Sequence, residues 1–190
     1  MYVAYTNRAR VLRSGLADYL TGWHNRRYLQ ARLREELARA QRACQPLVCL
    51  MIDVDHFKRI NDQFGHAKGD SVLKGIVSLV ANRSRKLDLL FRIGGEEFML
   101  LLPDTQEVEA AVVAEQLRAS VAETPLVDGR QVTVSIGVSE LQPGESLDSW
   151  IKHGDDALYA AKKAGRNRVV CRGLSSPREI VTLPDAEPEA

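Results

Sequence analysis

Asp53 is the residue hardest to place without chemistry. It closes the apolar run Leu47-Val48-Cys49-Leu50-Met51-Ile52, and Asp55 follows two residues later, on the same face of an extended chain. A carboxylate at the end of a buried strand must be paired, hydrogen-bonded or metal-bound, because uncompensated loss of its water costs several kcal/mol. On this strand alone, capping the next turn and ligating a metal are both open. Further along, Gly94-Gly95 runs directly into Glu96-Glu97. Adjacent strand residues point to opposite faces, so the two acids should do different jobs. The glycines let the backbone approach a bulky anion and offer it their amides. If the strand 47–54 lies beside this turn, Asp53 meets Glu96 or Glu97. Hard oxygen donors so arranged suit Mg²⁺ or Mn²⁺, with nucleotide phosphates completing the shell. A metal bridging phosphates favours attack by an oxygen on phosphorus.

Basic and polar residues fit the same chemistry. Lys58 follows the Asp53 strand closely, and Lys162 and Arg166 stand four apart on one face of the last helix. Each also reads as an ordinary solvated charge. Asn61, His66 and Asp70 fall in the loop between strand and helix. An aspartate can accept two hydrogens from a guanine-like edge and an asparagine can pair with its acceptor, so guanine readout is feasible. The plain alternatives are a helix cap for Asp70 and a loop hydrogen bond for His66.

An alternation of helix and strand must hold these groups. Asn25 caps a helix to about Ala43, with Leu29, Leu33 and Leu37 on one face. The strand 47–54 is continuously apolar and therefore covered on both faces. A loop through Phe64-Gly65 leads to a helix from about Asp70 to Asn82. The runs 89–93 and 98–102 flank Gly94-Gly95 as a tight hairpin. Residues 105–122 are helical, with Val108, Val112 and Leu117 inward. A strand over 131–138, a helix from Ser146 to Ala164 and a short edge strand over 168–170 complete the order. The fold class is an α/β sandwich, a mixed sheet with helices over its faces.

The ends differ. Tyr5, Ala9, Leu12, Leu16 and Tyr19 give an a/d seam of two heptads, read as a helical stalk over 1–17 or a lone helix on its own domain. Residues 173–190 carry three prolines and mostly acidic charge, and read as a disordered tail.

The whole chain has 190 residues, 45% apolar and 27% charged, enough for one core and unlike a disordered or fibrous protein. A net charge of +1 lacks the basic excess of a general nucleic-acid binder. The Leu-rich strands lack the exposed aromatics of an RNA-binding sheet. Three cysteines without CxxC spacing point to a reducing compartment rather than disulfides or zinc. No apolar stretch approaches the ~20 residues of a membrane span. The expected location is cytoplasmic, and the seam suggests the output end of a longer, regulated protein.

The run Asp53-Val54-Asp55-His56-Phe57-Lys58, then Asn61-Asp62, Phe64-Gly65-His66, Gly69-Asp70 and Gly94-Gly95-Glu96-Glu97-Phe98, strongly resembles the GGDEF family of diguanylate cyclases. Leu20-Thr21-Gly22, Asn25-Arg26-Arg27, Ala161-Lys162 and Gly165-Arg166-Asn167 belong to the same resemblance, which covers residues 18–171. Trp23 departs from it, where a smaller aliphatic residue is usual. The resemblance implies a nucleotidyl-cyclase palm fold and a half-site that joins two GTP into cyclic di-GMP with release of pyrophosphate. It assigns Asp53, Glu97 and the Val54 carbonyl to Mg²⁺ or Mn²⁺, two ions per half-site. Glu96 becomes the base or positioning group for the attacking hydroxyl. Asn61, Asp70 and His66 read guanine. Lys58, Lys162 and Arg166 neutralise phosphates, with Lys58 also at the transition state. Phe57 offers its amide to the phosphate cradle beside Gly94 and Gly95. A two-fold product from one site per chain implies a homodimer. Arg85 and Asp88, five residues before Gly94, match the family's inhibitory product site, with Arg118 as its third member. The alternative is a non-catalytic receptor for GTP or cyclic di-GMP.

Overall fold

The computed structural model describes residues 15–173. Most of the expected stalk and tail lies outside them. Leu16 and Tyr19 fall inside and are not helical: Ala17 bridges His24 across a turn, and Tyr19 is 92% exposed. The seam therefore does not reach them.

Among the described residues, six strands form one mixed sheet: β1 (His24–Asn25), β2 (Leu47–Val54), β3 (Leu89–Arg92), β4 (Glu97–Pro103), β5 (Val134–Glu140) and β6 (Val169–Cys171). Their spatial order is β1-β3-β4-β2-β5-β6, so the strand carrying Asp53 is central, between the hairpin strand β4 and β5. Five helices cover it: α1 (Arg26–Ala43), α2 (Phe57–Phe64), α3 (His66–Arg83), α4 (Glu107–Glu123) and α5 (Leu147–Lys163). All eight residues of β2 are buried, as its unbroken apolar run requires. Its even-numbered side chains, Val48 to Val54, share one core with Val72, Leu73 and Ile76 of α3 and with Leu117 of α4. Its odd-numbered side chains, Leu47, Cys49 and Met51, share the other with Leu29 and Leu33 of α1 and Trp150 of α5. Each such side chain contributes roughly 1.5–3 kcal/mol by leaving water. Asp53 and Asp55 continue the odd face, toward α5.

Three elements differ from the sequence reading, which did not include the two-residue β1. The segment after β2 is a short helix, not a loop, and α3 begins at His66 rather than near Asp70. Phe57 and Ile60 anchor α2 in the core, and Gly65, at φ 81°, breaks the chain between the helices. Asn61, His66 and Asp70 therefore sit on helices, and Asp70 is not a cap. On α4 the inward face is Ala110, Ala111, Ala114, Leu117 and Val121, while Val108 is 67% exposed. Alanines bring that helix close to the sheet, where the larger valine does not face.

Close approach also sets α5. A Cβ on Gly137 of β5 would overlap the backbone nitrogen of Leu158 and the carbonyl oxygen of Gly154. A Cβ on Gly154 would press into Met51 and Cys49. The two glycines let α5 lie directly on the sheet and fix the height of Lys162, one turn beyond Leu158.

Candidate active site

The antiparallel register sets Asp53 opposite Glu97 on one side and opposite Ser135 on the other. Asp53 is buried and Glu97 exposed, so the pair opens from the end of the central strands to solvent. Lys162 reaches down from the end of α5, its Nζ 2.8 Å from Asp53 Oδ2. Burial holds the Asp53 carboxyl above its ordinary range; Lys162 opposes this, while the charges of Glu97 and Asp55 reinforce it. Acids crowded together in this way favour a cation among them.

The turn at Gly94-Gly95 is closed by the Ile93 and Gly94 N–H groups, which donate to the Glu97 carbonyl at 3.0 and 3.3 Å. Neither glycine adopts the left-handed backbone. Gly94 matters differently: a Cβ there would push the Glu97 carboxylate aside at Oε2. Glu96 is tied to β2 by its carbonyl, which accepts from the Val54 N–H at 3.2 Å. Burial raises the Glu96 carboxyl, the Asp53 charge adds to this, and Lys162 partly offsets it. The turn is braced from outside by Arg92, whose guanidinium donates to the Gly95 carbonyl at 2.7 Å and to Asp18 Oδ1 at 3.0 Å. Asp18 in turn accepts from the Thr21 amide and hydroxyl, so the segment before α1 is bonded to the turn. The sequence held a signal for this brace, a lone charge closing the apolar strand Leu89-Leu90-Phe91.

On the other side of β2, His56 enters α2 at φ 56° and its side chain does not cap the helix, which leaves the first amides, that of Phe57 included, to another partner. Lys58 is exposed in that first turn. Asn61 lies against Gly69, where any Cβ would overlap its Oδ1. That oxygen is buried and has no partner among the described residues. Asp70, next to Gly69, and His66 are exposed.

Asp55 belongs to a separate set. Its carboxylate accepts from Ser135, Thr133 and the backbone of Asn167, not from Lys162. Arg166 sits in the turn after α5 at φ 63°. Arg85 and Asp88 lie at the far end of the sheet: the adjoining Leu89 pairs with Leu101, opposite Cys49, four residues before Asp53. Asp88 Oδ2 accepts from the Arg85 N–H at 2.6 Å, and burial raises its carboxyl. Its Oδ1 is buried without a partner among the described residues. Arg118 does not join them. Its guanidinium is held by Glu115 and donates to Asn167 Oδ1 at 2.7 Å, at the Asp53 end of the sheet.

Fewer than three metal-binding side chains converge among the described residues. Asp53 and Glu97, hard donors facing each other with a lysine cation already on one of them, nevertheless fit a divalent ion whose remaining ligands come from phosphates and backbone.

Comparison with known proteins agrees with this geometry. Residues 16–168 match the family model described as the diguanylate cyclase GGDEF domain. The chain is 42% identical over 165 residues to the response regulator PleD of Caulobacter vibrioides, covering 84% of this chain and 36% of that protein. It is 44% identical over 153 residues to the diguanylate cyclase DgcM of Escherichia coli, covering 80% and 37%. The chain thus spans about a third of the length of these relatives. Among solved structures, the active GGEEF domain of a diguanylate cyclase from Vibrio cholerae superposes with a TM-score of 0.76 at 42% identity, covering 78% of this chain and 96% of that one. The GGDEF domain of DgcB from Caulobacter crescentus, in complex with c-di-GMP, gives 0.79 at 33% identity, covering 83% and 95%. With the Asp53–Glu97 pair at a Gly-Gly-Glu-Glu-Phe turn, the chain belongs to the GGDEF family of diguanylate cyclases.

Proposed function

We propose that this chain condenses two GTP molecules into cyclic di-GMP with release of two pyrophosphates. The observation that carries the reading is the buried Asp53 facing Glu97 at the glycine turn with Lys162 on its carboxylate. The 3′-oxygen of one GTP bonds to the α-phosphorus of the other, the bond to pyrophosphate breaks, and the hydroxyl proton leaves. The reciprocal step closes the ring.

Asp53 and Glu97, with the Val54 carbonyl, would hold Mg²⁺ or Mn²⁺, two ions per half-site, which would supply charge neutralisation at the phosphates. Glu96 takes or orients the hydroxyl proton. Burial and the neighbouring Asp53 charge raise its carboxyl above the usual range, which makes the carboxylate a stronger general base. Lys162, Arg166 and Lys58 neutralise the triphosphate, and the uncapped start of α2 at Phe57 offers amides to the same group. Gly94 and Gly95 leave room on the other side. The unpartnered Asn61 oxygen, with Asp70 and His66 nearby, receives the guanine. An unmet buried acceptor costs about 1–3 kcal/mol, which a guanine N–H recovers on binding.

One site per chain and a two-fold product require two chains face to face, each presenting its GTP to the other. Arg85 and Asp88 form the product-binding loop at the far end of the sheet, with Arg118 no longer part of it.

The test is product formation from GTP and Mg²⁺ across a range of protein concentrations. Cyclic di-GMP should form, with a specific rate that rises with concentration until the dimer saturates. Binding of nucleotide with no product under Mg²⁺ or Mn²⁺ would instead identify a receptor.

A further inference from the structure

Asp55 is a buried carboxylate two residues past Asp53 with no part in the reaction above. Its partners explain its place. Oδ1 accepts from the Ser135 hydroxyl at 2.7 Å, and Oδ2 from the Thr133 hydroxyl at 2.8 Å and the Asn167 N–H at 3.0 Å. Its own N–H donates to the Thr133 carbonyl at 2.9 Å. The strand β5 thus holds the carboxylate still, and the carboxylate holds Asn167.

Asn167 ends an unusual turn. Gly165, Arg166 and Asn167 have φ of 114°, 63° and 44°, so two consecutive non-glycine residues adopt the left-handed backbone. L side chains rarely do so unless the surroundings over-determine them. Here they do. The Arg166 N–H donates to the Ala161 carbonyl at 3.1 Å. Arg118 Nη1 donates to Asn167 Oδ1 at 2.7 Å, while its Nε stands 2.9 Å from both carboxylate oxygens of Glu115. One anchor is Asp55, just past the end of β2, the other comes from α4, and between them sits the turn that carries Arg166.

We propose that Asp55 and the Glu115–Arg118 pair are positioning residues that clamp the left-handed turn at Gly165–Asn167 and so aim Arg166 at a nucleotide triphosphate. The proposal rests on the reading of Lys162 and Arg166 as phosphate-binding groups. The carboxylate nearest the metal pair is then a structural acceptor for a backbone amide rather than a further ion ligand. Because Arg118 serves this turn, its expected contribution to the product loop is replaced by one at the substrate end.

The clamp separates triphosphate affinity from guanine affinity, which a general loss of fold would not do. The assay is binding of a non-hydrolysable GTP analogue and, separately, of guanosine by ligand-observed NMR, each with Mg²⁺, alongside thermal melting. Asp55→Ala and Arg118→Met should each weaken the analogue by about tenfold, the scale of a lost hydrogen bond in a charged site, and leave guanosine unchanged. Arg118→Lys, which keeps the charge and a donor, should recover part of the loss. If Asp55→Ala does not fold, Arg118→Met decides. Folded variants that bind both ligands like the parent, or lose both equally, overturn the clamp. Failure of the parent protein itself to bind the analogue overturns the phosphate-site reading, and the clamp with it.

Discussion

Gly137→Ala tests whether the height of α5 over the sheet governs the site. The added methyl would stand 2.9 Å from Leu158 Cα and closer still to Leu158 N and Gly154 O, all backbone atoms that no rotamer change can move. Ordinary contact begins near 3.4 Å and the nearest atom, Leu158 N, would stand at 2.3 Å, so the helix must retreat by 3.4 − 2.3, about 1.1 Å. Lys162 lies one turn beyond Leu158 and its 2.8 Å bond to Asp53 moves with the helix. Overpacking of this kind costs ~2 kcal/mol, and at about 3 °C per kcal/mol for a domain this size the melting temperature should fall by about 6 °C. Misplacing a reacting group by 1 Å costs on the order of a hundredfold, so a displacement of this size should slow product formation by about that factor. Differential scanning calorimetry and a pyrophosphate-release assay read the two effects. A variant that melts and turns over like the parent refutes the close-packing account. One that loses stability but keeps its rate refutes the link between α5 and the chemistry.

Glu97→Ala should abolish product formation and leave the melting temperature within a few degrees, since Glu97 is exposed; measurable turnover would remove its metal role. Arg85→Ala deletes the guanidinium but keeps the N–H that closes the loop on Asp88, so it should relieve inhibition by added cyclic di-GMP at an unchanged initial rate; an unaltered inhibition curve would reduce the motif to a polar turn. Asp18→Asn should cost about 2–4 kcal/mol, because the side chains of Asp18 and Arg92 are only 13% and 11% exposed. Burial alone would raise the Asp18 carboxyl, but the Thr21 hydroxyl and amide and the Arg92 guanidinium outweigh it and hold the pKa below 3.8. Its contribution is therefore complete above the ordinary carboxylate value and lost as pH falls through the lowered one. Urea titrations should show a parent-to-variant gap that is constant at neutral pH and closes only below about pH 4; a gap that closes at neutral pH would contradict the ion pair.

Long, one-sided patterns were legible in the sequence and short, shared ones were not. The continuous run 47–54 can bury both faces only at the centre of a sheet, and it lies there. Asn25 and Ser146 cap helices as their types suggest, each accepting from an amide three residues on. The eight-residue α2 escaped because its helical character rests on just two buried residues, Phe57 and Ile60, and on a left-handed entry at His56. Apolar periodicity misassigned Val108 because on α4 it is the alanines that face the sheet, and alanine gives a weak periodic signal. Site residues that carry charge in an apolar context, Asp53 above all, stood out; Asp55 stood out equally, although its partners are hydroxyls and an amide. Spacing along the chain could not reveal that Arg118 meets Asn167, because 49 residues and the whole of β5 and α5 separate them.

The pairing of Asp53 with Glu97 about a shared divalent ion is the claim on which the chemistry stands. A crystal grown with Mn²⁺ and a non-hydrolysable GTP analogue, with anomalous scattering recorded to locate the metal, tests it most directly. The account expects an anomalous peak ligated by both carboxylates and by the analogue's phosphates. Analogue bound with the manganese elsewhere, or with the two carboxylates pointing apart, would contradict it.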